Sequence, residues 1–323
     1  MVVLSLISFL LVKIYQIEDV DIEEEQLTIV TSFYPMYIAT LNIVDGVQEV
    51  EVSNLTENQT GCVHDYQLTT EDMRCINQAD IAVINGGDME IFLEDVLSSR
   101  PEIKVIRASE GLQLLEGHSH THEEEEHEDE DHEDSHEEVH EEVHEEEEHK
   151  HEHGGVNGHV WMNMNLYQEQ IATIALRLSE YDPEHALIYQ ANAERYLEDI
   201  KALQLEYKQL EELTRGQEII IFHDAFAYFA QQYGMEVVHI VNTDSESALS
   251  AGEIAGVIDE IRLHHVQYLF SEEQYQPEIA NRIATETNAK VYVLNSLVTG
   301  KDDKDSYLNG MRQNLEELKT MFQ

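Results

Sequence analysis

Short runs of β-branched residues alternate with amphipathic segments along most of the chain, and this alternation predicts strands and helices in turn. The strand runs are Thr28 to Ser32, Val47 to Val52, Asp80 to Asn85 and Lys104 to Arg107, then Glu218 to Phe222, Glu236 to Val241, Val266 to Phe270 and Lys290 to Leu294. Their apolar positions are nearly continuous, as strands covered on both faces of a parallel sheet require. Between them, helical spacing marks Phe33 to Val44, Ile91 to Ser99, Phe226 to Tyr233, Ala251 to His264 and Pro277 to Thr287. The order predicts an α/β fold of two Rossmann-like lobes with parallel sheets flanked by helices.

From Asn165 to Arg215 the strand signal disappears, and Leu, Ala, Glu, Gln, Lys and Tyr recur at helical spacing. Asp182-Pro183-Glu184 interrupts this stretch, with Pro183 at a first helical position after an Asp cap. The piece from Pro183 to Thr214 is then a 32-residue helix ending before Gly216, roughly 48 Å long at about 1.5 Å per residue. A helix longer than either lobe predicts a rigid bridge between them. The expected division is a signal or anchor with an acidic lead-in over 1–25, an N-terminal lobe over 26–181, the linker helix over 182–215 and a C-terminal lobe over 216–323.

The 323 residues suit about two domains. Composition changes the picture because 67 acidic side chains face 18 Lys and Arg, a formal charge of −49. A nucleic-acid partner is excluded, since a polyanion needs clustered cations. The acidity is concentrated in His118 to His153, which holds 19 acidic residues, 11 of the 18 histidines and a single basic residue, Lys150. Such a low-complexity run cannot bury a core and reads as a disordered loop within the N-terminal lobe. Imidazoles interleaved with carboxylates also form many weak, exchangeable zinc sites, so local metal collection is added to disorder.

Val2 to Val12 is an apolar run broken only by Ser5 and Ser8. It is too short for a span of about 20 residues and fits the apolar part of an export signal or an N-terminal anchor. The expectation is an exported, extracytoplasmic protein, periplasmic or tethered at the outer face of the cytoplasmic membrane. Cys62 and Cys75 permit one disulfide in that compartment or stand as two thiols, with Cys62 a weaker candidate sulfur ligand.

Seven histidines lie outside the acidic run. Three sit in loops or directly after strands: His64 in Gly61-Cys62-Val63-His64-Asp65-Tyr66, His159 in Asn157-Gly158-His159-Val160-Trp161 and His223 after the strand EIIIF. Ligands of open α/β sheets bind at the carboxyl ends of the strands, where His223 falls. His185, His239, His264 and His265 occupy helical or strand patterns and carry no such expectation.

The strings HDYQLTTEDM (His64 to Met73), ADIAVINGGDME (Ala79 to Glu90), GHVWMN (Gly158 to Asn163), FHDAFAYFAQQYG (Phe222 to Gly234) and SLVTGKDDKDSYLNGMRQNLEEL (Ser296 to Leu318) occur in one order. Together with the His-rich insertion they resemble the metal-binding, extracytoplasmic substrate-binding proteins of ABC importers for zinc and manganese, over about Thr28 to the C-terminus. His223, where manganese binders usually carry a carboxylate, and the His-rich loop point to the zinc branch. The resemblance implies His64, His159 and His223 as ligands of transported Zn2+ in the cleft between the lobes. Three neutral imidazoles suit zinc, and manganese wants more oxygen.

The fourth position departs from the family. The loop Leu294-Asn295-Ser296-Leu297-Val298 has no carboxylate, which leaves Glu272, then Glu273, Asn295 or a water. The resemblance further implies an ABC permease and its ATPase as partners, a monomer peripheral to the membrane, and no enzymatic activity. A manganese receptor, a zinc hydrolase and a metal buffer are the alternatives. Three histidines plus water also occur in catalytic zinc sites, but outside the acid- and His-rich run the chain has no HExxH, and it has no nucleophile signature.

Overall fold

The computed structural model describes residues 26–56, 63–117, 155–241, 249–272 and 277–322, and not the side chains of Asp65 and Pro277. The N-terminal apolar run, Cys62, the acid- and His-rich run and Glu273 lie outside the described residues. Among those described, no helix is long and apolar enough to cross a membrane.

Ten strands and nine helices follow in chain order among the described residues: β1 (Leu27–Thr31), α1 (Tyr34–Ile43), β2 (Val50–Asn54), α2 (Thr70–Gln78), β3 (Ile81–Ile84), α3 (Ile91–Ser98), β4 (Lys104–Arg107), β5 (Leu115–Glu116), β6 (Val156–Asn157), α4 (Met164–Tyr181) and α5 (Ala186–Thr214) come first. Then come β7 (Glu218–Ile221), α6 (Phe226–Gln232), β8 (Glu236–Ile240), α7 (Ala251–His264), β9 (Tyr268–Glu272), α8 (Pro277–Glu286), β10 (Lys290–Leu294) and α9 (Ser306–Thr320). All eight sheet strands expected from the sequence are present. Two begin later than the apolar pattern suggests, because Val47 and Val266 are buried in the turns that lead into β2 and β9.

Two four-stranded sheets form, in the orders β2-β1-β3-β4 and β10-β9-β7-β8, and every pairing within them is parallel. In each sheet the chain leaves its first strand to one side and returns on the other. The reversal lies between β1 and β3 in one sheet and between β7 and β9 in the other, and ligands of such sheets gather beyond the carboxyl ends there. The outer face of the first sheet packs Val30, Ala82 and Ile84 against Ile76, Leu93 and Leu97 of α2 and α3. That of the second packs Ile220, Phe222 and Leu269 against Val257, Ile261 and Ile283 of α7 and α8. The inner faces share one continuous core: Ile29, Val83, Ile221 and Phe270 join Tyr167, Tyr196, Tyr207 and Leu315 of α4, α5 and α9.

The bridge helix is 29 residues, about 44 Å long. It begins at Ala186 rather than Pro183, because the Asp182 carboxylate is taken by residues further on: His185 Nδ1 lies 2.7 Å from Asp182 Oδ2, and Tyr189 donates to the same oxygen at 2.6 Å. Asp182 therefore ends α4 and holds the turn instead of capping α5. At the other end Gly216, with φ 72°, donates to Gly234 O at 2.7 Å and turns the chain into β7.

The hydrogen bond to Asp182 raises the His185 imidazole above its ordinary value against the opposing effect of burial, with Glu49 adding to the rise. A raised histidine contributes stability that is fully present below the unfolded value of about 6.5 and is lost as pH rises through the folded one. His185→Gln is therefore expected to lower Tm by about 1 to 3 °C at pH 5.5. The difference should shrink by pH 8.5, as thermal melts of both proteins would show. A gap that widens with pH would contradict this assignment.

Candidate metal centre

The three histidines singled out in the sequence come together. His64 lies in a 3-10 turn, Val63–Asp65, and is exposed. His159 follows β6 and His223 follows β7, and both are buried. The His64 and His159 ring centres are 5.3 Å apart, and those of His159 and His223 are 4.8 Å apart. With a metal–nitrogen distance of about 2.1 Å and a ring centre roughly 1.2 Å behind the nitrogen, imidazoles in a tetrahedral site place their ring centres about 5 to 5.5 Å apart. The first spacing falls in that range and the second lies just below it, so the rings are neighbours without forming a closed set of metal ligands among the described residues.

Each buried ring is held from behind. His159 Nδ1 and its backbone nitrogen both lie 2.9 Å from Asn157 Oδ1, and the Asn157 amide nitrogen donates to Asp224 O at 3.1 Å. That second bond fixes which way the amide points, so its oxygen faces His159 and selects the tautomer whose Nε2 carries the lone pair. The same residue ties the His159 turn to the segment beside His223. On the far side, His223 Nδ1 stands 2.6 Å from Glu272 Oε2.

Gly158 brings the His159 turn in close. A Cβ there would stand 2.6 Å from Gly87 O and 3.0 Å from the end of Met89, so only glycine fits against that backbone. Asn85, at the end of β3, donates to Gly158 O at 2.9 Å. After His159 the chain buries Val160, Trp161 and Met162. Trp161 packs 5.2 Å from the His159 ring and 4.9 Å from Phe33, and donates to Ser296 O at 2.8 Å.

Glu90 is a second buried carboxylate at this end of the first sheet. It accepts from Ser32 Oγ at 2.6 Å, from the Asn85 amide at 2.6 Å and from the Gly86 amide at 2.9 Å. Burial pushes its carboxyl up to about 7 against those three bonds and the nearby His64. Ser32 and Asn85 follow β1 and β3, so Glu90 sits at the reversal of the first sheet as Glu272 does in the second.

The other residues weighed from the sequence fall elsewhere. Asn295 uses its side-chain oxygen to accept from the Leu297 amide at 2.8 Å, and Val298 is core. His265 is exposed at the start of the segment leading into β9, the opposite edge of the sheet from His223. Cys75 is half-buried on α2, and burial first, then Glu71 and Asp72, raise its thiol. The residues that sequence reasoning left without a role are Asn157, Glu90, Trp161 and Ser296. The one available signal was Asn157, a side-chain acceptor two positions before His159 in a glycine turn.

Known proteins resemble this chain over most of its length. The family described as zinc-uptake complex component A, periplasmic, matches residues 29–321. The high-affinity zinc uptake system protein ZnuA of Bacillus subtilis is 30% identical over 305 residues, covering 93% of this chain and 88% of that protein. The zinc-binding protein AdcA of Streptococcus pyogenes serotype M3 is 29% identical, over 99% of this chain but only 60% of its own length. Among solved structures, the metal-dependent lipoprotein YcdH of Bacillus subtilis superposes with a TM-score of 0.68 at 26% identity, covering 91% of this chain and 98% of that one.

Proposed function

The chain belongs to the periplasmic zinc-uptake complex component A family, and on that premise we propose that it is the extracytoplasmic receptor that captures Zn2+ and hands it to an ABC permease driven by its ATPase. The carrying observation is the trio of imidazoles, from residues following three different segments, at ring separations of 5.3 and 4.8 Å. In this reading His64, His159 and His223 are the zinc ligands, Glu272 completes the site behind His223, and water takes the fourth coordination place. The protein captures and releases its cargo without a chemical step.

The linker-helix division is part of the proposal. With α5 and a continuous inner core joining both sheets, loading moves the lobes little, and the closed, loaded face is what the permease meets. The acid- and His-rich run, outside the described residues, collects zinc. The hydrolase alternative needs a carboxylate aimed at a bound water. Glu90 and Glu272, two buried carboxylates at the carboxyl ends of the sheets, are instead engaged by Ser32, Asn85 and Gly86 and by His223 and Ser296.

Competition titration with zinc and manganese tests the reading. Three nitrogen donors predict zinc preferred by at least about 100-fold, in line with the divalent-metal affinity order. Zinc binding should also weaken as pH falls through about 6.5, since each imidazole must shed a proton to coordinate. Equal affinity for manganese, or indifference to pH, would overturn it.

A further inference from the structure

The turn Asn295 to Val298 after β10 has no carboxylate, yet it is held at several points. Asn314 of α9 clamps residue 295 twice, accepting from its amide at 2.7 Å and donating to its carbonyl at 2.8 Å. Leu297 adopts φ 62°, a left-handed conformation that a branched side chain enters only when its surroundings impose it. Those surroundings include Gly310, where a Cβ would fall 2.2 Å from Leu297 Cδ2.

Between these two fixed residues stands Ser296, fully buried. Its hydroxyl donates to Glu272 Oε1, and its carbonyl accepts from Trp161 Nε1. Glu272 in turn uses its other oxygen on His223, and Trp161 lies against the His159 ring. A single strained turn thus reaches the supports of both buried histidines, one carried by each half of the molecule.

We infer that Glu272 is a positioning residue for His223 rather than a metal ligand, and that Ser296 holds Glu272 and Trp161 together so that His223 and His159 are set before zinc arrives. The carboxylate accepts the Nδ1 proton of His223, which fixes the ring tautomer so that Nε2 is the coordinating nitrogen. With one oxygen on His223 and the other on Ser296, Glu272 reaches the metal only by giving up one of these bonds. The inference rests on His223 being a ligand, as proposed above.

The test uses the full chain, with zinc for affinity and cobalt(II) as a spectroscopic probe of the donor set. Glu272→Gln should lower zinc affinity about 10- to 100-fold, the range of an orienting partner, while cobalt(II) visible bands keep the wild-type coordination number. Ser296→Ala should weaken zinc binding in the same sense, Ser296→Thr should restore it, and the double variant should lose less than the sum of the singles. Metal-free thermal melts check that each variant folds; if Glu272→Gln does not fold, the Ser296 pair decides.

A cobalt(II) spectrum that changes coordination number in Glu272→Gln would make Glu272 a ligand and overturn the inference. Wild-type zinc affinity in both Glu272→Gln and Ser296→Ala would overturn it as well. His223→Ala, run alongside, separates the two readings. If it binds zinc as wild type does, the three-histidine site itself fails; if it alone loses binding, only the positioning role fails.

Discussion

Replacing His223 by alanine is expected to lower zinc affinity by more than about 100-fold, while His265→Ala changes it by less than about twofold. His223 is buried where β7 gives way to α6, 4.8 Å from the His159 ring. His265 is an exposed residue at φ 55° that ends α7, at the opposite edge of the same sheet. The two substitutions remove the same group from one lobe, so only position distinguishes them. Calorimetric titration of both with zinc would check the difference, and equal losses would contradict the assignment.

Trp161→Ala should produce the largest loss of stability. The side chain is fully buried, packs edge-on against Phe33 and joins the His159 turn to the loop after β10 through its indole nitrogen. Truncating a buried tryptophan costs about 3 to 5 kcal/mol, which corresponds to a fall in Tm of roughly 5 to 10 °C. Zinc affinity should fall too, because the cavity opens directly beneath His159. Trp161→Phe keeps most of the volume and loses the hydrogen bond to Ser296, so its loss should be closer to about 1 kcal/mol. Thermal melts that rank the two variants equally would show that the ring volume kept by phenylalanine contributes less than the packing implies.

The fold was legible because the inner strands β1, β3, β7 and β9 are largely buried on both faces, which leaves apolar runs such as IAVI in β3 and the three isoleucines of β7. The grouping of His64, His159 and His223 could be anticipated for a related reason: they stand where strands or tight turns end, and the sequence words around them resemble a known family. The two-residue strands β5 and β6 escaped notice, since a pair that short has no periodicity to read. The start of α5 was misplaced because Asp182 bonds to His185 and Tyr189, later side chains that compete with its capping role.

The supports of the histidines were hidden by sequence distance. Glu272 lies 49 positions from His223, and Ser296 lies 135 from Trp161. A serine in a loop has no local signature when its partner lies far along the chain, and Glu272, named from the sequence as a possible ligand, gives no local sign that it pairs with His223. Only the parallel topology brings the end of β9 beside the end of β7, and the loop after β10 across to the His159 turn. Glu90 is the same case in the first sheet, made visible once Ser32 and the amides after β3 are seen to converge on it.

The central claim is that one zinc ion is held by three imidazoles drawn from both halves of the molecule. A zinc-loaded crystal, measured with anomalous scattering at the zinc edge, tests it most directly. The account predicts one strong peak about 2.0 to 2.1 Å from Nε2 of His64, His159 and His223, with Glu272 Oε2 still on His223 Nδ1 and no carboxylate on the metal. A peak that leaves out any of the three imidazoles, or that has Glu272 coordinating directly, would contradict it.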